Sequence, residues 1–492
     1  MKNIFKLLGI IGMVFLIVFF FATCNNGGGG QQTYYTVTYN GNGNTGGTAP
    51  IDYRQYNSYT GVTVLGNTGS LVKSGYTFLG WNTQADGNGI SYLPGYMFPI
   101  KTNTILYANW MEEASGLSLF VGVVNITGDT YSLPDVLDGY TVQPEATIEV
   151  NNVGTSPTNV LVIELQGSEK DNFELSSSIL SSIGVSGSSN FTIKAKTGLG
   201  VGFYIAIVKV SGIDCQASFI VRLTVRLIDA VKINAGNFTM GSPDTEVGRG
   251  SNETEHSVIL TKGFYMGKYE VTQDQYQKVM GTNPSNFTSN PDSGEIQEKR
   301  PVEMVSWYDA LVFCNKLSIK EGLTPVYSIN GKTDPDEWGT VPTVSSATWN
   351  GVEPNWNANG YRMPTEAELE YACRAGTSNP YNPVWDGTTV ANAPGWYVDN
   401  SESKTHEVGK KPPNGWGLYD MHGNVRELCW DSYGGNYPIG SQIDPIGAES
   451  NAYRVMRGGW CNNIARHLRS ASRDYDSKWY RSNSIGFRVV RR

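Results

Sequence analysis

The residues with most chemistry in them lie near the C-terminus. The stretch RVMRGGWCNNIARHLRSASR, residues 454–473, sets one cysteine, Cys461, two residues behind a glycine pair. A thiol so placed is either the nucleophile or redox group of a catalyst, or one side chain on a surface built for recognition. The rest of the sequence offers it few chemical partners. Six cysteines in 492 residues, with no CxxC pair, make neither a disulfide framework nor a zinc site. The four histidines, at 256, 406, 422 and 467, form no HxxxHxE cluster. GNGNTGG at residues 41–47 has the composition of a phosphate loop, but it sits in a hairpin pattern with no helix after it.

The same C-terminal segment has a second character. Residues 454–492 carry ten Arg or Lys against two Asp, a local charge of +8 in a chain of net charge −8. Arg457, Arg469, Arg473 and Arg488 fall in regular-looking pieces (RVMRGG, LRSASR, IGFRVVRR) and are read as framework. Between them lie WCNNIARH and DYDSKWYRSNS. These stretches mix rigid aromatic area with adaptable polar groups, the chemistry of antibody binding loops. The candidate ligand-contacting residues are therefore Trp460, Cys461, Asn462, Asn463, Ile464, His467, Asp474, Tyr475, Asp476, Ser477, Trp479, Tyr480, Ser482, Asn483 and Ser484.

Several elements must hold such loops in place. The chain is too long for one ordinary core. Its 57 Gly, 28 Tyr and 12 Trp, with 17% charged residues, describe folded, β-rich protein, and the negative net charge argues against nucleic acid as a partner. Lys2 and Lys6 precede an apolar run that ends at Cys24, and NNGGGGQQ, residues 25–32, comes next as a flexible tether. An apolar run of this length is also compatible with a membrane-spanning anchor. Residues 33–111 alternate in strand fashion around Gly/Asn turns. Residues 117–228 hold further strand runs (ATIEVNN, NVLVIEL, NFTIKAK, GFYIAIVKV, ASFIVRLTVRL) at the spacing of an immunoglobulin-like β-sandwich. In 229–492, RPVEMVSWYDALVFCNKLS places apolar residues at helical spacing.

Four resemblances sharpen this outline. FATC, residues 21–24, resembles a bacterial lipobox, although Phe21 stands where Leu is usual. It implies a signal peptide over 1–24, lipidation of Cys24 and an extracytoplasmic, membrane-anchored, surface-exposed protein. Gly75, Phe78, Gly80, Trp81 and the closing Tyr107-Ala108-Asn109-Trp110 resemble the InlB B-repeat, a small β-grasp-like module, with the aromatics expected in its core. Along 229–492, the motifs VKINAGNFTMGS, GFYMGKYEVTQDQYQKVMG, RPVEMVSWYDALVFCNKLS, YRMPTEAELEYACRAGT, PPNGWGLYDMHGNVREL and IGFRVV come in the order of the formylglycine-generating enzyme, or sulfatase-modifying-factor, family. That implies an irregular, glycine-rich α+β fold shared with C-type lectins. Lastly, some bacterial surface lipoproteins of this fold are variable proteins of diversity-generating retroelements, rewritten at Asn-encoding template codons. Cys461 and all the candidate contacts except Trp460 and Trp479 belong to the residue set that such rewriting yields.

The enzyme resemblance also says what is missing. Active members hold copper on two cysteines after a Gly-Gly-Ser, and soft Cu(I) needs such a thiolate pair. Here Trp460 comes directly after Gly458-Gly459, Asn463 stands at the first metal position, and no cysteine lies beyond Cys461. Cys314 and Cys373 match cysteines that in the enzymes pair with C-terminal ones, whose places here are Val489 and Ser470. A structural Ca2+ is the metal that the resemblance retains. It implies ligands Asp420, Gly423, Val425 and Glu427 in YDMHGNVRE, hard oxygen donors on a tight glycine loop. A second site is implied at Asn392, Ala393 and Asn400. Arg426 departs from the family's usual Trp. The expectation is a lipid-anchored protein whose non-catalytic C-terminal domain binds a protein or glycan. The rival is a copper-dependent oxidase, or another extracytoplasmic modifying enzyme, acting on a client cysteine.

Overall fold

Strand alternation in residues 37–40 buries every second side chain, and those residues open the architecture. The structure is a computed structural model that describes residues 33–57, 61–448 and 452–492. Cys24, the signal-like segment and the tether lie outside the described residues. In the first module Val37–Asn40 pairs in parallel with Thr104–Glu112. Tyr76–Asn82 pairs antiparallel on the other side of Thr104–Glu112, and Ser91–Tyr92 closes the sheet. Trp81 is fully buried and meets Tyr39 and Phe78 edge-on at 4.6 and 5.2 Å, while Trp110 meets Phe78 at 5.6 Å. Of the module's motif aromatics, Phe78, Trp81 and Trp110 thus belong to its core.

The second module is two sheets sharing one core. Leu117–Val121, Glu145–Asn152, Ser188–Ala195 and Phe173–Leu175 run in one. Gln216–Arg226, Gly202–Ser211, Leu161–Gln166 and Ile179–Leu180 run in the other. Ile148, Val150, Phe191 and Ile193 from the first pack with Ile163, Val208, Phe219 and Val221 from the second. The long pair Gly202–Ser211 with Gln216–Arg226 ends at the next domain. There Arg226 bridges Asp135 (2.7 Å) to the buried Glu321 (2.9 Å), joining the sandwich to the C-terminal domain.

The C-terminal domain has little regular structure. Its longer helices begin at capping boxes: α1 (Gln273–Met280) at Thr272, α2 (Trp307–Lys320) at Ser306 and, after the short α3 (Ala347–Asn350), α4 (Glu366–Arg374) at Thr365. Helix α2 is buried on nearly every face, so Trp307, Phe313, Cys314 and Leu317 lie in one core with Trp430, Phe487 and Val489. Short strands supply the remaining frame. Asp474–Ser477, Tyr453–Arg457, Arg426–Ser432 and Ile485–Gly486 lie side by side in that order. Among the described residues no helix is long and apolar enough to cross a membrane.

Buried ion pairs replace much of the regular hydrogen bonding. Arg457 binds Glu366 and Glu370, Arg469 binds Glu246 and Glu253, Arg473 binds Glu366, and Arg488 binds Glu427. The four arginines read as framework are therefore framework. This also changes the meaning of the local charge of +8. Most of that charge is cancelled inside the domain by carboxylates from distant segments, so it does not make a basic surface.

Candidate functional site

The C-terminal loop starts where two glycines turn the chain out of strand Tyr453–Arg457. Gly458 and Gly459 take φ of +88° and +74°, and a Cβ on Gly459 would lie 2.8 Å from the carbonyl oxygen of His467. Only glycine allows both the left-handed backbone and that close return. The loop runs to a short 3-10 turn, Ala465–Leu468, and re-enters the frame at Arg469.

The domain grips this loop largely through its main chain. The N–H of Cys461 donates to Asn424 O (3.0 Å), and its carbonyl accepts from the Ser401 hydroxyl (2.7 Å). The carbonyl of Asn463 accepts from Val398 N–H (3.1 Å), that of Ala465 from the Tyr381 hydroxyl (2.9 Å), and that of Leu468 from His422 Nδ1 (2.6 Å). Ser470 is held at both backbone atoms, by Pro380 O (2.7 Å) and Arg457 Nη1 (2.7 Å). Beneath the loop, Tyr381, Trp385, Ala393, Tyr397 and Leu468 form a small apolar cluster of their own. The inward side chains of Cys461, Leu468, Arg469 and Ser470 complete this support, and the other side chains of the loop have little part in it.

Many of those side chains face outward. Ile464 is 50% exposed, Tyr475 44%, and Tyr453 and Tyr480 41% each; Arg466 and His467 are exposed as well. Asn462, Asp474, Asp476, Ser477, Ser482 and Asn483 are half-buried. Asn463 turns its side chain inward, its Oδ1 accepting from Trp460 N–H (3.1 Å). Tyr475 stacks on Tyr433 (centroids 4.0 Å) and meets Tyr453 edge-on (5.3 Å), forming a tyrosine strip along the edge strand. Arg426 is the hub. Its guanidinium lies 5.8 Å from the Trp460 ring centroid, pairs with Asp474 (3.0 Å) and reaches the Ser484 hydroxyl (3.4 Å). One residue thereby ties together the 460 loop, the edge strand and the 478–484 turn. The sequence marked Arg426 only as a departure from the family; its long cationic side chain could have suggested the role.

Three candidate contacts need correction. Cys461 is 0% exposed, and burial pushes its thiol up to about 12. It is an inert packing residue, neither a reactive thiolate nor a ligand contact. Ser484 is also buried, and Trp479 packs against the core around α2. Lys478 is buried, and desolvation, helped by the neighbouring Arg454, lowers it to about 8.

Among the described residues Cys314, Cys373 and Cys429 are buried as well, and Cys215 is partly exposed. All five described cysteines are free. Cys373 lies 3.4 Å from the Ser470 hydroxyl, and Cys314 lies in the same core as Val489. Ser470 thus stands beside Cys373, where the resemblance puts a partner cysteine. His422 packs on Cys373, its Nδ1–H given to Leu468 O and its Nε2 accepting from Asn382 N–H (3.1 Å). Both ring nitrogens are satisfied with the imidazole neutral.

Behind the loop sit three buried carboxyl groups, Glu270, Asp420 and Glu427, facing one guanidinium, Arg488. Arg488 holds both oxygens of Glu427 at 2.6 Å. Asp420 Oδ2 accepts from Gly409 N–H (2.7 Å), whereas its buried Oδ1 meets no donor. Burial pushes Asp420 up to about 6, and burial with the neighbouring carboxylates pushes Glu270 up as well. Gly423, on the same loop, approaches Trp396 O so closely that a Cβ would lie 2.1 Å from it. Surplus buried negative charge and an orphaned oxygen suit a hard dication, so Asp420 fits the implied calcium. Glu427 can join it only through the lone pairs that Arg488 leaves. Of the second implied set, Asn392 is exposed, Ala393 is buried, and Asn400 accepts from Tyr397 N–H at Oδ1 (2.8 Å) and donates from Nδ2 to Gly395 O (3.1 Å). Glu270 was not singled out in the sequence, where it is one carboxylate in an ordinary strand-to-helix connection.

Comparison with known proteins places these features. The family described as "Sulfatase-modifying factor enzyme 1-like domain" matches residues 219–492, and the "Listeria-Bacteroides repeat domain" matches residues 35–109. The chaperone protein LppX of Paenibacillus barcinonensis is 35% identical over 285 residues, spanning 52% of this chain and 92% of that protein. The formylglycine-generating enzyme of Mus musculus is 27% identical over 298 residues, 54% of this chain and 75% of the enzyme. Among solved structures, Treponema denticola variable protein 1 is similar at 40% identity and a TM-score of 0.49, covering 54% of this chain and 94% of that one.

Proposed function

The chain belongs to the family of sulfatase-modifying factor enzyme 1-like domains, and from that premise we propose that its C-terminal domain binds a protein partner and catalyses nothing. The observation that carries the reading is the way the 460–470 loop is held. Its framework contacts end on main-chain atoms of Cys461, Asn463, Ala465, Leu468 and Ser470 and on the inward side chains of Leu468 and Arg469, so the outward side chains of Asn462, Ile464, Arg466 and His467 are available for recognition. With the adjoining strands and the 478–484 turn, joined to the loop through Arg426, they make a face that is aromatic at Trp460, Tyr453, Tyr475 and Tyr480 and polar around them. Its charges are mixed, with Arg426 and Arg466 against Asp474 and Asp476. Aromatic anchors in a polar surround with balanced charge suit a protein surface better than a phosphate or a nucleic acid.

Two further points support the reading. The Cys461 thiol is buried and protonated, and the chain has no cysteine after it to complete a thiolate pair. The Paenibacillus relative is named a chaperone, a function exercised by binding another polypeptide. The N-terminal lipid on Cys24 then anchors the protein outside the cytoplasmic membrane. The repeat module and an immunoglobulin-like sandwich act as spacers, and the exposed loop residues are open to diversification. A Ca2+ held by Asp420, Glu427 and the carbonyls of Gly423 and Val425 would neutralise the buried carboxylates and stiffen the floor beneath the loop.

The test is site-directed photocrosslinking on intact cells. A crosslinking amino acid at Ile464, Tyr475 or Tyr480 is expected to capture a discrete polypeptide. The same group at Val142, 79% exposed on the sandwich, is expected to capture none. Equal capture from Val142, or none from the loop positions, would contradict the proposal.

A further inference from the structure

Below the loop, and separate from the carboxylates around Asp420, His406 meets two acidic side chains. The ring is 0% exposed and lies flat against Trp396, with centroids 3.8 Å apart and planes within 15°. Nε2 lies 2.8 Å from the carbonyl oxygen of Ser401. A carbonyl only accepts, so that nitrogen carries the proton, and Nδ1 of the neutral ring is a bare lone pair. It points at Glu295 Oε1 (2.9 Å) and Asp292 Oδ2 (3.5 Å), and the three donor atoms lie within 4.8 Å of one another. Three electron-rich atoms converging in this way need a cation between them.

The supporting contacts are those of a metal site. Each carboxylate has one oxygen fixed by the protein and the other turned toward Nδ1. Lys404 holds Asp292 Oδ1 at 2.5 Å, while Glu295 Oε2 accepts from Asp292 N–H (3.4 Å) with Arg300 at 3.7 Å. A histidine that ligates a metal commonly gives its other N–H to a backbone carbonyl, which orients the ring and fixes its tautomer. Donors bound to zinc at 2.0–2.1 Å in a tetrahedron stand about 3.3 Å apart, close to the separations here. Asp292 is 41% exposed at its side chain, which leaves a way in for the ion and a position for water as the fourth ligand.

We propose that Asp292, Glu295 and His406 bind one divalent transition ion, best matched by Zn2+, through one nitrogen and two oxygens. The ion clamps the 292–295 segment to the 401–406 segment. From there the connection to the recognition loop is short. His406 N–H donates to Asn424 Oδ1 (3.0 Å), Asn424 O receives Cys461 N–H, and the Ser401 hydroxyl holds Cys461 O. The site is structural, and it stands whether or not the loop recognises a protein.

The test is equilibrium dialysis of the chelator-stripped full-length chain against Zn2+ in excess Ca2+, with bound metal counted by elemental mass spectrometry. One zinc per chain is expected. His406→Gln, Glu295→Gln and the exposed Asp292→Asn should each weaken binding at least tenfold. Should the buried variants misfold, Asp292→Asn alone decides. In wild type, Co2+ in place of Zn2+ should give the intense visible bands of a four-coordinate N/O site. No stoichiometric zinc, or zinc bound equally well by wild type and Asp292→Asn, would overturn the assignment and leave a second ring proton as the cation facing the carboxylates.

Discussion

Replacing Arg469 by Met removes the cation that closes the recognition loop while keeping the apolar stem. Its guanidinium donates to Glu246 Oε1 (2.5 Å), to both oxygens of Glu253 (2.8 Å each), to Gly248 O (2.7 Å) and to Arg466 O (2.9 Å). All three charged side chains are at most 6% exposed. Removing one partner of a buried ion pair leaves uncompensated charge and costs about 3–5 kcal/mol. Burial alone would raise the Glu253 carboxyl, but its bonds to Arg469 and Ser242 hold it below the ordinary carboxylate range. A lowered folded pKa gives stability that is complete above the unfolded carboxylate pKa and lost as pH falls through the folded value. In Arg469→Met that lowering disappears and burial dominates. The gap between wild type and variant should therefore be widest near pH 7 and shrink toward pH 4. Urea unfolding followed by tryptophan fluorescence measures this well, because ten of the twelve tryptophans lie in the C-terminal domain. A loss under about 1 kcal/mol at pH 7, or a gap that does not change with pH, would refute the reasoning.

Other consequences are as direct. Ser401→Ala strips the side-chain donor from the buried Cys461 carbonyl and should cost about 1–3 kcal/mol, whereas Ile464→Ser on the exposed face should stay within about 0.5 kcal/mol; urea midpoints compare the two. Native protein treated with iodoacetamide at pH 8 should be labelled at the partly exposed Cys215 and spared at Cys461 until it is unfolded, as peptide mass spectrometry can show. Glu303, which accepts from Asn286 and Phe287 N–H, is raised to about 7 by burial. A raised carboxylate pKa favours the folded state at low pH, and this advantage is lost as pH rises toward 7, so wild-type stability should fall relative to that of the non-titrating Glu303→Gln between pH 4.5 and pH 8. Ca2+ should raise the thermal midpoint of wild type, and Asp420→Asn should abolish that increment.

The sequence was most legible where structure is local. The apolar spacing of RPVEMVSWYDALVFCNKLS reports the helix Trp307–Lys320, which the core buries. The four framework arginines were recognisable from their place in regular motifs. Their partners were not: Glu253 is 216 residues from Arg469, and Glu366 is 107 from Arg473. Without those partners the sequence shows only a segment of charge +8. Cys461 was misplaced for a related reason. Loop composition gives no sign of which side chain turns inward, and that is decided by Asn424 and Ser401 gripping its backbone. Asp292, Glu295 and His406 were invisible as a group because 111 residues separate the last two.

If this loop is a backbone-held platform for recognition, its outward side chains should be replaceable wholesale, and a displayed library can show it. Positions 462, 464, 466, 467, 475 and 480 of the full chain would be randomised together, sorted for protease resistance, and panned against an immobilised folded protein of unrelated sequence. A large share of members should stay folded, and binders should emerge whose affinity maps to the randomised positions. A library that mostly unfolds, or that folds but never yields a binder above the parent, would contradict the platform.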